Sequence, residues 1–146
     1  MLGKRWSRAR GARLARWPAM SRVLVAEDDS EMRRLVVEAL RKDGHEVLEA
    51  ADGGRMLVRL AEVFDRDPSL LYVEVIVCDM RMPVCNGLDL LERLAEARWR
   101  IPCILMTAFG DDETRERASR IGATLFDKPL GLDALRAAVK RLACRG

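Results

Sequence analysis

The sequence predicts an α/β protein with a doubly wound, five-stranded parallel sheet of order 2-1-3-4-5 and five helices on its two faces. Short runs rich in Val, Ile and Leu alternate with longer amphipathic segments from residue 21 onward, which is typical of βα units around a parallel sheet. Because parallel crossovers are right-handed, the order 2-1-3-4-5 is a common solution for five such units. The 146 residues are enough for one such domain but not for two.

Five segments are predicted to be strands because each is short and rich in Val, Ile or Leu, as strands covered by helices on both faces should be. They span residues 23–27, 46–50, 73–79, 102–107 and 124–127. The third run ends abruptly on Asp79, and a carboxylate at the rim of the core is costly unless it has a partner. Asp79 is therefore a candidate functional residue.

Four helices are predicted from apolar residues that recur at the i, i+3, i+4 and i+7 spacing of one helical face. Their stripes are Met32, Leu35, Val36, Ala39 and Leu40; Leu57, Leu60, Ala61 and Phe64; Leu88, Leu91 and Ala95; and Leu132, Leu135, Val139 and Leu142. Gly44 lies where a left-handed cap should end the first helix. The segment 111–120 is poor in apolar residues, so the helix expected there should be the least firmly packed.

No apolar stretch approaches the roughly 20 residues that cross a bilayer, so the sequence predicts no transmembrane segment. The cysteines, Cys78, Cys85, Cys103 and Cys144, form no CxxC pair, and free thiols beside apolar runs act as small hydrophobes. A reducing, cytoplasmic location is therefore expected. His45, the one histidine, lies in an expected turn before the second strand and is predicted to be exposed to solvent.

The first 20 residues carry six basic side chains and no acid, so the remainder is mildly acidic although the whole chain has a net charge of +3. We expect residues 1–20 to be a disordered basic extension and residues 21–146 to form the domain. An amphipathic helix on an anionic lipid or nucleic acid surface is the alternative for the extension. The extension lacks the continuous apolar run of a secretory signal.

Polar residues follow four of the predicted strands, at the carboxyl ends where doubly wound sheets bind ligands. They are Glu27, Asp28 and Asp29 after the first strand, Asp79 after the third, Thr107 after the fourth, and Lys128 and Pro129 after the fifth. Carboxylates in one crevice repel one another unless a cation lies between them, and oxygen ligands favour Mg²⁺ or Ca²⁺ over zinc. With a hydroxyl and an ammonium, such a rim can hold a phosphoryl group, and Asp79 is the candidate nucleophile.

Four segments of the chain carry a resemblance to the receiver domain of bacterial two-component response regulators, over residues 21–146. In order, they are VLVAEDDS, VIVCDMRMPVCNGLDLL, ILMTAF and LFDKPL. They are similar to the family's acidic pair, phosphoacceptor loop, switch hydroxyl and lysine. The resemblance implies a flavodoxin-like sheet of the order already predicted.

The resemblance implies roles for residues at the strand ends. Asp79 would accept the phosphoryl group, and Mg²⁺ would be held by Asp28, Asp29, Asp79 and the backbone carbonyl of Arg81. A second set would bind the phosphoryl group or shape the loop, namely Thr107 as the switch hydroxyl, Lys128 as its cationic partner, and Pro129 after a cis peptide bond. Leu125 stands where the family often has an aromatic switch residue, and this departs from the family's pattern.

The function implied by the resemblance is that of a phosphoacceptor switch. It would receive a phosphoryl group from a histidine kinase or a phosphotransfer protein, and would catalyse only its own phosphorylation and dephosphorylation. Nothing follows Gly146, so we expect a stand-alone receiver without direct DNA binding, which signals to an unidentified protein target. The sequence is compatible with either a monomer or a dimer.

Three other functions are weighed against the switch. One is a receiver-like binding module that no longer depends on phosphorylation. Another is a phosphotransferase with an aspartyl-phosphate intermediate, which typically needs a second Asp two residues after the nucleophile, where Arg81 stands. The third is a nucleotide or flavin binder, whose phosphate would be repelled by the acidic loop after the first strand.

Overall fold

The computed structural model describes residues 21–66, 73–83, 85–99, 101–129 and 131–143. Three features of the sequence, namely the basic segment 1–20, the side chain of Phe64 and Cys144, lie outside the described residues. Within them, no helix is both long and apolar enough to span a bilayer.

Five parallel strands form one sheet of order β2-β1-β3-β4-β5, which confirms the predicted fold class. The strands are β1 (Arg22–Ala26), β2 (Glu46–Ala50), β3 (Val75–Asp79), β4 (Cys103–Thr107) and β5 (Thr124–Asp127). The helices are α1 (Ser30–Lys42), α2 (Gly53–Arg66), α3 (Gly87–Glu96), α4 (Asp112–Arg120) and α5 (Leu132–Ala143). The predicted first strand lies one residue too late, and the third and fourth begin slightly too early.

The core lies on both faces of the sheet, because successive side chains of each strand point to opposite sides. One face packs against α1 and α5, through Val23, Val25, Val75, Val77 and Ile104. The other packs against α2, α3 and α4, through Leu24, Ala26, Ile76, Cys78 and Leu105. Every residue of β3 is buried, so its last residue, Asp79, is held at a fixed place on the rim. Cys78 contributes to packing, as predicted.

The ends of the first helix are set by local chemistry. Asp29 is its N-cap and accepts hydrogen bonds from the backbone of Glu31 and Met32. Gly44 has a φ of 91°, and the hydrogen bond from His45 N to Leu40 O closes the turn behind the helix. The predicted left-handed cap at Gly44 is therefore confirmed.

Three of the predicted apolar stripes are wrong in detail, because each includes an exposed residue. Leu35 is 49% exposed and Leu57 is 45% exposed, whereas Val37 and Met56 are buried. The spacing rule accepts several neighbouring faces of a helix that carries apolar residues around much of its circumference, so it cannot fix the helix rotation. The sheet contact selects the face. Ala61 and Ala95 are exposed as well.

His45 corrects another expectation, because it is buried rather than exposed. Its Nδ1 forms a hydrogen bond with the hydroxyl of Ser21, the residue before β1. Its Nε2 is buried and has no hydrogen-bond partner among the residues that the structure covers. Burial lowers the pKa of His45 below its ordinary value, since a charged imidazolium loses hydration there.

We expect His45→Gln to lower the free energy of unfolding by about 1–2 kcal/mol at about pH 7.5, because a buried hydrogen bond and packing are lost. The pKa of His45 is lower in the folded chain, so its contribution is present above the unfolded value and is lost as the pH falls. Urea unfolding should therefore show a smaller difference between parent and variant at about pH 5.5. A difference that stays constant or widens would contradict this assignment.

Candidate functional site

Three acids meet at the carboxyl ends of β1 and β3. Each of Glu27, Asp28 and Asp79 offers a carboxylate oxygen, and these atoms lie within 4.8 Å of one another. The strands are neighbours, with Ala26 paired to Cys78, so residue 27 lies beside residue 79. Glu27 and Asp79 are buried, whereas Asp28 is exposed. The group therefore has a buried floor and one acid that faces water.

Lys128 supplies a positive charge to the buried acids. Its Nζ lies 3.0 Å from Glu27 Oε1 and 3.1 Å from Asp79 Oδ1. The residue follows β5, its backbone N–H donates to Thr107 O at 2.7 Å, and the Lys128–Pro129 bond is cis, the isomer that the resemblance implies. Although burial favours the neutral amine, hydrogen bonds to Glu27 and Asp79 raise the pKa of Lys128. It is therefore a firmly charged partner of both carboxylates.

Glu27 is the acid of this group whose pKa is raised by its surroundings. Burial, together with the hydrogen bond and charge of Asp79, raises its pKa to about 7, against the opposing effect of Lys128. One cation therefore does not offset the close approach of the acids. Glu27 Oε2 is buried and has no hydrogen-bond partner in the described part of the chain.

The donor set fits a small, hard divalent cation. All three side chains offer carboxylate oxygens, which Mg²⁺ prefers, and Mg²⁺ usually keeps several waters as well. The exposed Asp28 leaves a side on which waters can bind. Arg81, two residues beyond Asp79, is exposed in the loop after β3. The assignment of its carbonyl as a ligand stays a prediction.

Asp29 has a different role from the predicted one. Its Oδ1 accepts hydrogen bonds from Glu31 N at 3.0 Å and Met32 N at 3.2 Å, so this carboxylate caps α1. The acids that meet Asp79 are Glu27 and Asp28. The acidic pair is thus corrected by one residue, because β1 ends at Ala26 and the helix uses the third acid of the run as its cap.

Thr107 lies at the end of β4, beside the site. Its side chain is buried, and its Oγ1 accepts a hydrogen bond from Phe109 N at 3.0 Å. Because Asp79 pairs with Met106 across the sheet, Thr107 extends one residue beyond the acid. The hydroxyl is thus engaged by the loop that leads into α4, and Phe109 in that loop is 75% exposed.

The loop after β3 is folded tightly against the strand end. Gly87 N donates to Met80 O at 2.8 Å, and a Cβ at Gly87 would clash with the carbonyl oxygen of Asp79. Glycine at this position lets the N-terminus of α3 approach the acid cluster. Asn86 caps the helix at the same point.

Leu125, the residue at the family's aromatic switch position, is half-buried in β5. It packs against the cluster that faces α2, α3 and α4, whereas Phe126 packs against the cluster on the opposite face. An aliphatic residue therefore occupies this position, and the nearby aromatic ring points to the other side of the sheet. A switch at Leu125 stays a prediction.

The sequence could have pointed to Glu27 before the structure did. In a run of three acids that leads into a helix, the acid directly before Ser30 is the natural N-cap. Once Asp29 is assigned as the cap, Glu27 and Asp28 remain for the strand end. The distances from Lys128 Nζ to Glu27 and Asp79 could not be predicted from the sequence, because they depend on how the sheet places the end of β5 relative to β1.

Comparisons with known proteins identify the family of this chain. The family described as "Response regulator receiver domain" matches residues 23–140. Sporulation initiation phosphotransferase F of Bacillus subtilis (strain 168) is 31% identical over 121 residues, which are 82% of this chain and 91% of that protein. The regulatory protein AtoC of Escherichia coli (strain K12) is 33% identical over 126 residues, which are 84% of this chain. The chain spans only 25% of AtoC.

The solved structures agree as well. The receiver domain of the Francisella response regulator 1452 superposes with a TM-score of 0.74 at 26% identity, and the match covers 86% of this chain and 98% of that one. The family match extends over most of the domain, and the strand order is the one that the motifs imply. This chain therefore belongs to the response regulator receiver domain family of two-component systems.

Proposed function

We propose that this chain is a phosphoacceptor switch, in which Asp79 receives a phosphoryl group in a Mg²⁺-dependent step. The observation that carries the proposal is the placement of Asp79. It is a buried carboxylate at the end of the central strand, with Lys128 Nζ 3.1 Å from its Oδ1 and two further acids beside it. A carboxylate that is only structural gains nothing from this repulsion.

The residues of the chain would divide the chemistry as follows. A carboxylate oxygen of Asp79 forms the new bond to phosphorus, and the bond to the donor breaks with its electron pair on the donor. Lys128 then pairs with the phosphoryl oxygens by charge. The Thr107 hydroxyl, whose oxygen accepts a hydrogen bond from Phe109 N, donates its hydrogen to a phosphoryl oxygen. Glu27, Asp28 and Asp79 would hold Mg²⁺ together with the Arg81 carbonyl, and the ion would neutralise charge on the transferred group.

The partners follow from the family. We propose a histidine kinase or a phosphotransfer protein as the donor and a protein as the downstream target, in the cytoplasm, with no direct DNA binding by the domain. The chain would catalyse only its own phosphorylation and dephosphorylation. We also propose that the chain can form a dimer, which a measurement of the oligomeric state of the phosphorylated chain would test.

A second candidate is a relay that passes the phosphoryl group onward to another protein. It is favoured by one observation, the likeness to a protein named sporulation initiation phosphotransferase F over 91% of that protein. Because Arg81 is exposed and basic, no general acid stands two residues after Asp79, as a phosphatase-type enzyme would require. A binding module without phosphorylation is the remaining alternative, and labelling separates it from both.

We expect the parent chain to gain one phosphoryl group when it is incubated with Mg²⁺ and acetyl phosphate, and Asp79→Asn to gain none, because the amide cannot act as the nucleophile. Intact mass measures the gain. Asp133→Asn is the matched control, since its carboxylate is almost fully exposed and it should be labelled like the parent. Labelling of Asp79→Asn would move the acceptor elsewhere, and an unlabelled parent would leave the binding module as the better function.

We expect Mg²⁺ to bind about tenfold more weakly at about pH 6 than at about pH 8, because protons compete for a carboxyl. The competing carboxyl is Glu27, whose pKa is raised to about 7. Calorimetric titration of the parent measures the difference. Glu27→Gln should bind Mg²⁺ weakly at both pH values.

Asp29→Asn is the control for this titration, because asparagine can still cap α1 and the carboxylate is not part of the acid group. It should bind Mg²⁺ like the parent at both pH values. A large loss of affinity in Asp29→Asn, or a parent whose affinity does not change with pH, would reject the assignment of Glu27.

A further inference from the structure

The helix that follows the switch hydroxyl, α4, has few buried side chains and several charged contacts. α4 buries only two side chains, Thr114 and Ala118, whereas α5 buries five and α3 buries four residues. Little apolar area therefore fixes α4 against the sheet, and a helix with few buried contacts is easily displaced. Its position depends on polar contacts that reach its neighbours.

Arg117 makes the closest of these contacts. Its guanidinium reaches two acids on α3, with Nη2 at 2.6 Å from Glu92 Oε1 and 2.6 Å from Asp89 Oδ1, and Nε at 3.1 Å from Glu92 Oε2. The fork is bidentate towards Glu92, the geometry in which arginine pairs are strongest. The side chains of Arg117 and Glu92 are 28% and 30% exposed, so water screens the pair only in part. We call this contact the Arg117 clamp.

Another arginine of the same helix offers a contrast. Arg120 Nη2 bonds Glu116 Oε1 at 2.7 Å, but both residues belong to α4 and are more than 60% exposed. Loss of this pair would remove the same charge from the same helix without freeing it from a neighbour. Arg115 reaches Asp127 at the end of β5, and both of those side chains are about half exposed.

A short loop joins α4 to the switch hydroxyl. Only residues 108–111 separate Thr107 from the helix, and Asp111 is the N-cap, accepting a hydrogen bond from Thr114 N. Within the loop, Phe109 N donates to Thr107 Oγ1. Gly110 is packed so closely that a Cβ there would lie 2.8 Å from Asp127 Oδ1. Displacement of α4 must therefore pull on the loop whose N–H group holds the Thr107 hydroxyl.

We propose that Arg117 is a positioning residue that acts on Thr107 through α4. The Arg117 clamp holds α4 against α3, and thereby favours the arrangement in which the hydrogen bond from Phe109 N fixes Thr107 Oγ1 in place. Release of the clamp increases the fraction of molecules in which the Thr107 hydroxyl can turn to donate its hydrogen to a phosphoryl oxygen on Asp79. The clamp thus limits the rate of phosphoryl acceptance. This inference rests on the proposed function of Asp79.

The test compares Arg117→Gln with Arg120→Gln and with the parent, as full chains. Acetyl phosphate labelling in Mg²⁺, followed by intact mass, should be about fivefold to tenfold faster in Arg117→Gln, a ratio at the lower end of what coupling between sites commonly gives. Deuterium uptake of the unphosphorylated chain should be faster in peptides that cover residues 107–120 and unchanged in those that cover β1 and β3. Arg120→Gln should match the parent in both measurements. A double variant, Asp89→Asn with Glu92→Gln, releases the clamp from α3 and should reproduce the faster labelling.

Equal or slower labelling of a folded Arg117→Gln variant would overturn the inference, as would a rate for Arg120→Gln that rises by as much. Faster exchange in residues 107–120 without faster labelling would reduce the clamp to a structural contact, which also overturns it. If exchange rises throughout Arg117→Gln because the variant unfolds, the double variant on α3 decides by the same criteria. A parent that takes up no phosphoryl group would overturn the proposed function itself, whatever the variants do.

Discussion

The contact on which the rest of the site depends is that of Lys128 with Glu27 and Asp79. The ammonium lies 3.0 Å from one carboxylate and 3.1 Å from the other, so it links the end of β5 to the ends of β1 and β3. A buried carboxylate without a partner would be costly, and its pKa would rise until it became neutral. Lys128 opposes this effect, but as a single cation it leaves Glu27 with a pKa raised to about 7. The site therefore remains under repulsion that a divalent ion would relieve.

The parallel sheet is what brings these charged side chains close together. Its strands end on one edge, and the register that pairs Ala26 with Cys78 and Asp79 with Met106 sets Glu27, Asp79 and Thr107 side by side. The apolar residues of β3 fix the position of Asp79, because all of them are buried. The helix α4, which we expect to move, has fewer buried side chains than its neighbours. α4 has few buried side chains and makes charged pairs, so the rigidly held Asp79 shares its edge of the sheet with the loop that leads into a helix of lower local stability.

The sequence was sufficient for the fold, because short apolar runs indicate strands that are covered on both faces and the spacing of apolar residues indicates the helices. The sequence also predicted that Asp79, Thr107 and Lys128 lie near one another, since each stands at or directly after the end of a strand of one sheet. It failed where two roles compete for one residue type. In a run of three acids, the acid that caps a helix looks like the acids at the strand end, so the sequence predicts Asp29 where the structure places Glu27 beside Asp79. It also failed where only packing decides, as for the rotation of α2 and the burial of His45 against Ser21.

The central claim, that the acids of the site repel one another in the folded chain, has a direct measurement. It is the free energy of unfolding of the parent and of Asp79→Asn in denaturant, with a chelator present to remove divalent ions. We expect Asp79→Asn to be more stable by about 1–2 kcal/mol, because one repelling charge is lost while Lys128 keeps Glu27 as its partner. A variant that is less stable than the parent under these conditions would contradict the account.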